Sequence, residues 1–489
     1  MLFNSFEFLV FFPVVTLLYF LLPHRHRWLL LLGASCAFYM FFKAVYILIL
    51  FFTIVVDYVA GICIEESREP GRRKMFLLAS LVANVGVLAV FKYFNFLNGS
   101  ISSVGEWLGF ENKVPYLTIL LPIGLSFHTF QAMSYTFEVY RGNQRAERHF
   151  GIYSLYVMFY PQLVAGPIER PQNILHQFYE KHHVEYGRIV GGLQLMAWGL
   201  FKKVVVADNL ALMVDNVYNN PTGYTGISLV LATVFFAFQI FCDFSGYSDI
   251  AIGSAQVMGF TLMKNFNRPY MAKSMPEFWG RWHISLSTWF RDYLYIPLGG
   301  NRVVKWRWYY NVFVVFLVSG LWHGASWTFI AWGALHGFYQ VFGFMTQERR
   351  AALAERVGLT AHPRLHRALQ TATVFALAGF AWIFFRANSL SDAVYIVSHS
   401  LTGLGNVQEL LYGNWQHLLF LDTSAHVFTV SVCAVLLMEA IHRRQESGSI
   451  REEIASWPVW RRWSLYYGFL VLVLVFGQFG EGQFIYFQF

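Results

Sequence analysis

Long apolar runs separated by short polar stretches set the pattern of this chain. A membrane-spanning helix needs about 20 mostly apolar residues, fewer where it inserts only in part. Residues 6–22, 45–64, 75–91, 117–137, 189–206, 227–241, 369–385, 427–441 and 464–476 meet that description. Residues 28–42, 152–165, 250–262, 310–322 and 326–344 are weaker or shorter, and re-entrant segments are expected among them. The pattern predicts an all-α polytopic membrane protein with about 11 to 14 membrane segments, counting re-entrant and interfacial helices. The run 6–22 lacks a basic flank and a small-residue cleavage site, so it reads as a retained first span. No internal repeat or low-complexity tract interrupts the series.

Composition agrees with this picture. Of 489 residues, 56% are hydrophobic and only 13% are charged, against about 25% charged in a soluble domain. Such a chain cannot coat a water-facing surface of ordinary size, whereas lipid-facing positions must be apolar. One large membrane domain covering 1–489 is expected, without separate soluble domains. Cys36, Cys63, Cys242 and Cys433 lie in or beside apolar runs with no CxxC spacing, and suit small buried hydrophobes.

The net charge of +8 belongs to loops, not to a nucleic-acid surface. Segment 24–27 holds two Arg, 65–74 four Lys or Arg, 141–148 three, 347–367 five Arg and 442–463 five. Lys202 and Lys203 close the run 189–206, and 386–426 contains only Arg386. If every run crosses, the basic loops fall on one side. The positive-inside rule makes that side cytoplasmic and both termini external.

Segment 265–310 behaves differently. Leu286, Trp289, Phe290, Tyr293 and Leu294 recur at helical spacing, opposite Ser285, Ser287, Thr288, Arg291 and Asp292. The pattern predicts a helix in or below the cytoplasmic interface, followed by a turn at Gly299-Gly300-Asn301. A plain interfacial anchor is one reading. The other is a basic mouth for an anionic, phosphate-bearing donor, drawn from Arg281, Trp282, His283, Arg291 and Arg302.

Ionisable residues inside spans are costly, which makes them candidates for function. Asp57, His128, Asp243, Asp249, His323 and His336 qualify. His323 stands where the apolar run breaks, among Gly320, Gly324, Ala325 and Ser326. A neutral imidazole there can take a hydroxyl proton and return it to a leaving group. His336, thirteen residues on, can orient His323 or position an acyl carbonyl, or simply make a helix contact. The string from Asp243 to Asp249 reads as a polar break, with Gln239, Asp243, Ser245 and Tyr247 as cavity-lining candidates. No HExxH, GxSxG or P-loop pattern is present. A metal is not expected, because His323 and His336 lack a third ligand at any recognisable spacing.

Several motifs in order carry a family resemblance: LPIGLSFHTFQAMSYTFEVYRG, PQLVAGPIER, QIFCDFSGYSDIAIG, NFNRPY, EFWGRWHISLSTWFRDYLYIPLGGNR and GLWHGASWTFIAWGALHG. The chain resembles the membrane-bound O-acyltransferases, in the bacterial branch that acetylates alginate. The resemblance covers 1–393 and leaves 394–489 as C-terminal membrane segments. It implies a helical shell around a tunnel, with the family's invariant histidine at His323 and a second motif histidine at His336. It further implies an acyl-thioester donor, with acetyl-CoA as substrate and no bound cofactor, in a bacterial inner membrane. The acceptor would be an exopolysaccharide, or an extracytoplasmic acetyltransferase partner. A transporter, or a scaffold of a polysaccharide secretion complex, would explain the spans without chemistry of its own.

Overall fold

The computed structural model describes residues 1–118, 122–164, 166–403, 413–480 and 484–485. Every regular element among the described residues is helical. This is the physical consequence of an apolar solvent, where backbone N–H and C=O groups must be satisfied within the segment itself. Among the described residues, seven helices are long and apolar enough to cross a bilayer: Ala44–Glu66, Pro70–Leu108, Tyr186–Tyr218, Ile227–Met258, Pro363–Arg386, Ala425–Arg444 and Val459–Phe476. Phe6–Leu21 is a shorter apolar helix of 16 residues. The protein is therefore a multi-pass membrane protein.

Three expected runs take a different form. Runs 227–241 and 250–262 merge into one helix, Ile227–Met258, of 32 residues. The polar string between Asp243 and Asp249 does not break it, because polar groups from another helix meet these side chains. The run 117–137 includes 119–121, which lie outside the described residues; its helical part is Leu125–Arg141. The run 152–165 ends on residue 165, also outside them. It appears as the helix Phe150–Met158, a bend at Phe159 and the short turn Tyr160–Leu163.

The chain divides into two compact units. One comprises Met1–Met196 and Ser248–Lys264. Here the helices Ile47–Glu66, Pro70–Leu88 and Leu125–Arg141 enclose a polar network. Ser80 Oγ and Asn84 Nδ2 donate to Asp57 at 2.5 and 2.9 Å. Thr53 Oγ1 and His128 Nε2 lie 2.6 Å apart. Both ionisable groups thus have local hydrogen-bond partners that account for their burial.

The other unit comprises Ala197–Tyr247 and Asn265–Phe489. It holds a large apolar core that includes Val205, Leu210, Phe236, Trp282, Trp332 and Trp382. Within it, Lys305–His323 and Trp327–Met345 form a tight helical hairpin. A Cβ on Gly320 would lie 2.3 Å from Phe329 O and 3.0 Å from Gly333 Cα. Only glycine permits that approach. Gly320→Ala gains up to about 1 kcal/mol in helix propensity, but the backbone overlap forces the two helices apart, which costs about 1–3 kcal/mol. The expected result is a lower melting temperature. Gly343→Ala, where the nearest atom is the Arg350 guanidinium at 3.9 Å, leaves melting unchanged or slightly higher. Thermal unfolding of both variants in one detergent is the check, and equal stability of the two would refute the packing argument.

Candidate active site

His323 is the last residue of Lys305–His323, and the backbone leaves the helix at Gly324 in an extended conformation, φ −160° and ψ 150°. Ser326 then caps the returning helix, its side chain accepting from Thr328 N at 3.3 Å. The break expected from the small residues is therefore a helix–turn–helix corner, with the imidazole at the corner. His323 is 4% exposed. Rings surround it: Trp322 at 4.8 Å, Trp332 at 5.0 Å and Phe385 at 5.4 Å between centroids.

A second histidine faces this site, and it is not the expected one. His283 lies 6.5 Å from His323 between ring centroids and is fully buried. His336 is separated from His323 by the Trp332 ring, which lies 5.0 Å from one and 4.7 Å from the other. Trp279 Nε1 donates to His336 Nδ1 at 3.4 Å. The ring of His336 completes an aromatic box with Trp279, Trp332 and Phe316.

His283 is placed by backbone geometry. It adopts a left-handed conformation, φ 43° and ψ 56°, as the residue before the helix Ile284–Phe290. A non-glycine residue there stores strain on the order of 1–3 kcal/mol. Asn265 holds the turn in place. Its carbonyl accepts from Ile284 N at 2.9 Å, and its Oδ1 accepts from Ser285 N and Ser285 Oγ at 3.3 and 2.9 Å. The Phe244 ring stands edge-on to His283 at 4.6 Å.

The segment expected to form a basic mouth divides. Arg302 is exposed, and Arg291 is exposed with its Nε 2.8 Å from Asp292. Arg281 is half-buried and paired with Glu277 at 2.7 Å. Trp282 and His283 instead belong to the interior, at 1% and 0% exposure. The two short helices Met275–Arg281 and Ile284–Phe290 turn the chain inward between the arginines. Of the expected apolar side, Leu286, Trp289, Phe290 and Tyr293 are buried and Leu294 is half-buried, while Ser285 of the expected polar side is buried as well.

Among the cavity-lining candidates, Asp243 belongs to a buried charged cluster. The helix Tyr186–Tyr218 contains a π-helical turn at Phe201–Ala207, a wider turn often found at functional positions. It carries Lys202 and Lys203, both buried, although their sequence position suggested loop charges. Lys203 Nζ lies 2.8 Å from Asp208 and 2.7 Å from Asp243. Asp243 Oδ2 also accepts from Ile485 N at 2.7 Å. Lys202 Nζ donates to Ser245 Oγ at 2.9 Å, and the Tyr247 ring packs on Phe484 at 4.4 Å. Asp243, Ser245 and Tyr247 are thus committed to interior contacts. Gln239 is 9% exposed, and its Oε1 has no partner among the described residues. The role of Lys203 was hidden because its carboxylate partners lie five and forty residues away. The only local signal was a Lys-Lys pair inside an apolar run.

The sequence profile described as membrane-bound O-acyltransferase family matches residues 129–363. The probable alginate O-acetylase AlgI of Pseudomonas aeruginosa is 40% identical over 398 residues, which cover 80% of this chain and 73% of that protein. The chain belongs to the membrane-bound O-acyltransferase family. Peptidoglycan O-acetyltransferase of Helicobacter pylori is 35% identical over 83% of this chain and 81% of its own length. Teichoic acid D-alanyltransferase of Bacillus subtilis is more distant, 28% identical over 44% of this chain and 56% of its own. As an O-acyltransferase, the protein carries chemistry of its own, which sets aside the transporter and scaffold readings. The matched residues 129–363 of this membrane-bound O-acyltransferase include His283, His323 and His336.

Proposed function

We propose that this chain transfers an acetyl group from acetyl-CoA on the cytoplasmic side of a bacterial inner membrane to an extracytoplasmic hydroxyl. The acceptor class is a secreted or cell-wall polysaccharide, reached directly or through a partner acetyltransferase. The observation that carries this reading is the pair of buried imidazoles, His323 and His283, 6.5 Å apart at a helix corner of an O-acyltransferase. The names of the relatives above support acetyl as the group and polysaccharide as the acceptor. The Lys- and Arg-rich loops support a cytoplasmic donor side; the case for external termini required 227–241 and 250–262 to cross separately, and it falls with their merger into one helix. The exposed Arg291 and Arg302 suit the phosphates of the donor. Residues 1–489 act as one membrane domain, since the similarity to relatives extends over residues from both units.

In this scheme His323 accepts the hydroxyl proton as the oxygen attacks the thioester carbonyl carbon. A C–O bond forms, the C–S bond breaks, and the proton passes from His323 to the departing thiolate. No bound cofactor or metal enters the reaction; the acetyl thioester is a substrate.

Proteoliposomes test the reading. Acetyl-CoA labelled in its acetyl group is supplied on one side, and alginate oligosaccharide is held on the other. The expected result is one alkali-labile acetyl ester for each free CoA thiol released. Label crossing as intact acetyl-CoA, with no ester formed, would overturn it.

A further inference from the structure

Two buried N–H groups, one on Trp332 against His323 and one on His336 against Trp332, have no acceptor among the described residues. Trp332 is 1% exposed and His336 is 0% exposed. Neither Trp332 Nε1 nor His336 Nε2 has a hydrogen-bond partner among the described residues. An indole N–H can only donate, so the contact from Trp279 Nε1 makes His336 Nδ1 an acceptor. A neutral imidazole that accepts at Nδ1 carries its proton at Nε2. Both orphan atoms are therefore donors. Buried donors without partners are rare in folded proteins, and each calls for a reason. The Trp332 ring touches both histidines, at 5.0 Å from His323 and 4.7 Å from His336 between centroids.

We propose that Trp332 Nε1–H and His336 Nε2–H form the oxyanion site of the acyl-transfer reaction. This inference rests on His323 acting as the base. When the hydroxyl oxygen attacks, the thioester carbonyl becomes a tetrahedral oxyanion. The two N–H groups donate to that oxygen, and the bonds are relinquished as the C=O re-forms and the thiolate leaves with the proton held by His323. Because these donors are buried among packed rings, they need little reorganisation at the moment charge develops. That is the condition under which such donors have their largest effect on rate. The ligand class follows from the chemistry: a carbonyl oxygen that gains negative charge, supplied by a thioester.

The test uses the full-length protein in proteoliposomes with acetyl-CoA and alginate oligosaccharide as probes. Trp332→Phe keeps the ring against both histidines and removes the donor. The expected result is a fall in kcat of about 10²–10³-fold, with KM for acetyl-CoA and melting temperature little changed. His336→Phe should behave alike, while His336→Gln, which retains an N–H donor, should recover at least about tenfold of the loss, or roughly 1.4 kcal/mol of transition-state stabilisation. The His336 pair decides the matter if Trp332→Phe does not reach the membrane. Normal kcat in both phenylalanine variants, or a rise in KM alone, overturns the oxyanion assignment. If His323→Ala is inactive in that case, the proposed function survives; a fully active His323→Ala instead removes the base and this inference together.

Discussion

His323→Ala is expected to lower acetyl transfer by about 10²–10⁴-fold, the range usual for loss of a positioned general base. The imidazole at the helix corner is the group proposed to take the hydroxyl proton. Alanine offers no substitute, and the surrounding Trp322, Trp332 and Phe385 rings present no carboxylate to relay through. The substitution also opens a cavity, so stability must be followed beside rate. His323→Gln nearly preserves volume and hydrogen-bonding capacity but cannot accept a proton near neutral pH. Both variants should therefore lose activity to a similar degree, with the glutamine protein the more stable. Ester formation measured per mole of protein in the vesicle is the readout. A wild-type rate from either variant at equal protein would sink the proposed role.

The largest stability effect is expected at Lys203. Its ammonium lies between the carboxylates of Asp208 and Asp243, with 1% of the side chain exposed. Lys203→Met leaves two close carboxylates in a low-dielectric interior without the cation between them. Breaking a buried pair in this way costs about 3–5 kcal/mol. The variant should accumulate poorly and melt far below the parent. Replacing the whole cluster isosterically, as Lys203→Met with Asp208→Asn and Asp243→Asn, removes the uncompensated charge and should restore most of the loss. Asp243→Asn keeps an oxygen able to accept from Ile485 N, so alone it should be milder than Lys203→Met. Unfolding followed by tryptophan fluorescence in detergent ranks the set. A Lys203→Met protein that melts with the parent would show that the cluster is not a structural requirement.

Reading the spans was a matter of solvent chemistry. A run such as 45–64 is apolar enough that helix Ile47–Glu66 needs no knowledge of its neighbours. The corner at His323 was equally legible, because four small residues interrupt an apolar run around one imidazole. The polar string from Asp243 to Asp249 misled for the opposite reason. Read alone, it looks like a break; paired with Lys203 it can remain inside one helix of 32 residues. His283 was assigned to the basic mouth and not to the site, because it lies forty residues from His323 and no local spacing links the two. Trp282 was likewise assigned to a mouth from its basic neighbours, whereas its ring lies 5.0 Å from Trp382 in the core.

By itself, the sequence determined that this protein is a helical membrane protein with a histidine at a helix interruption, and its motifs carried the family. These are local properties: hydropathy over one span, small residues around one side chain, charges in one loop. Tertiary packing alone decided which ionisable groups meet. It paired Lys203 with Asp208 and Asp243, brought His283 to His323, and set Trp332 between His323 and His336. Electrostatic and hydrogen-bond energies depend on distances of a few ångströms between residues far apart in the chain, and no linear pattern encodes those distances.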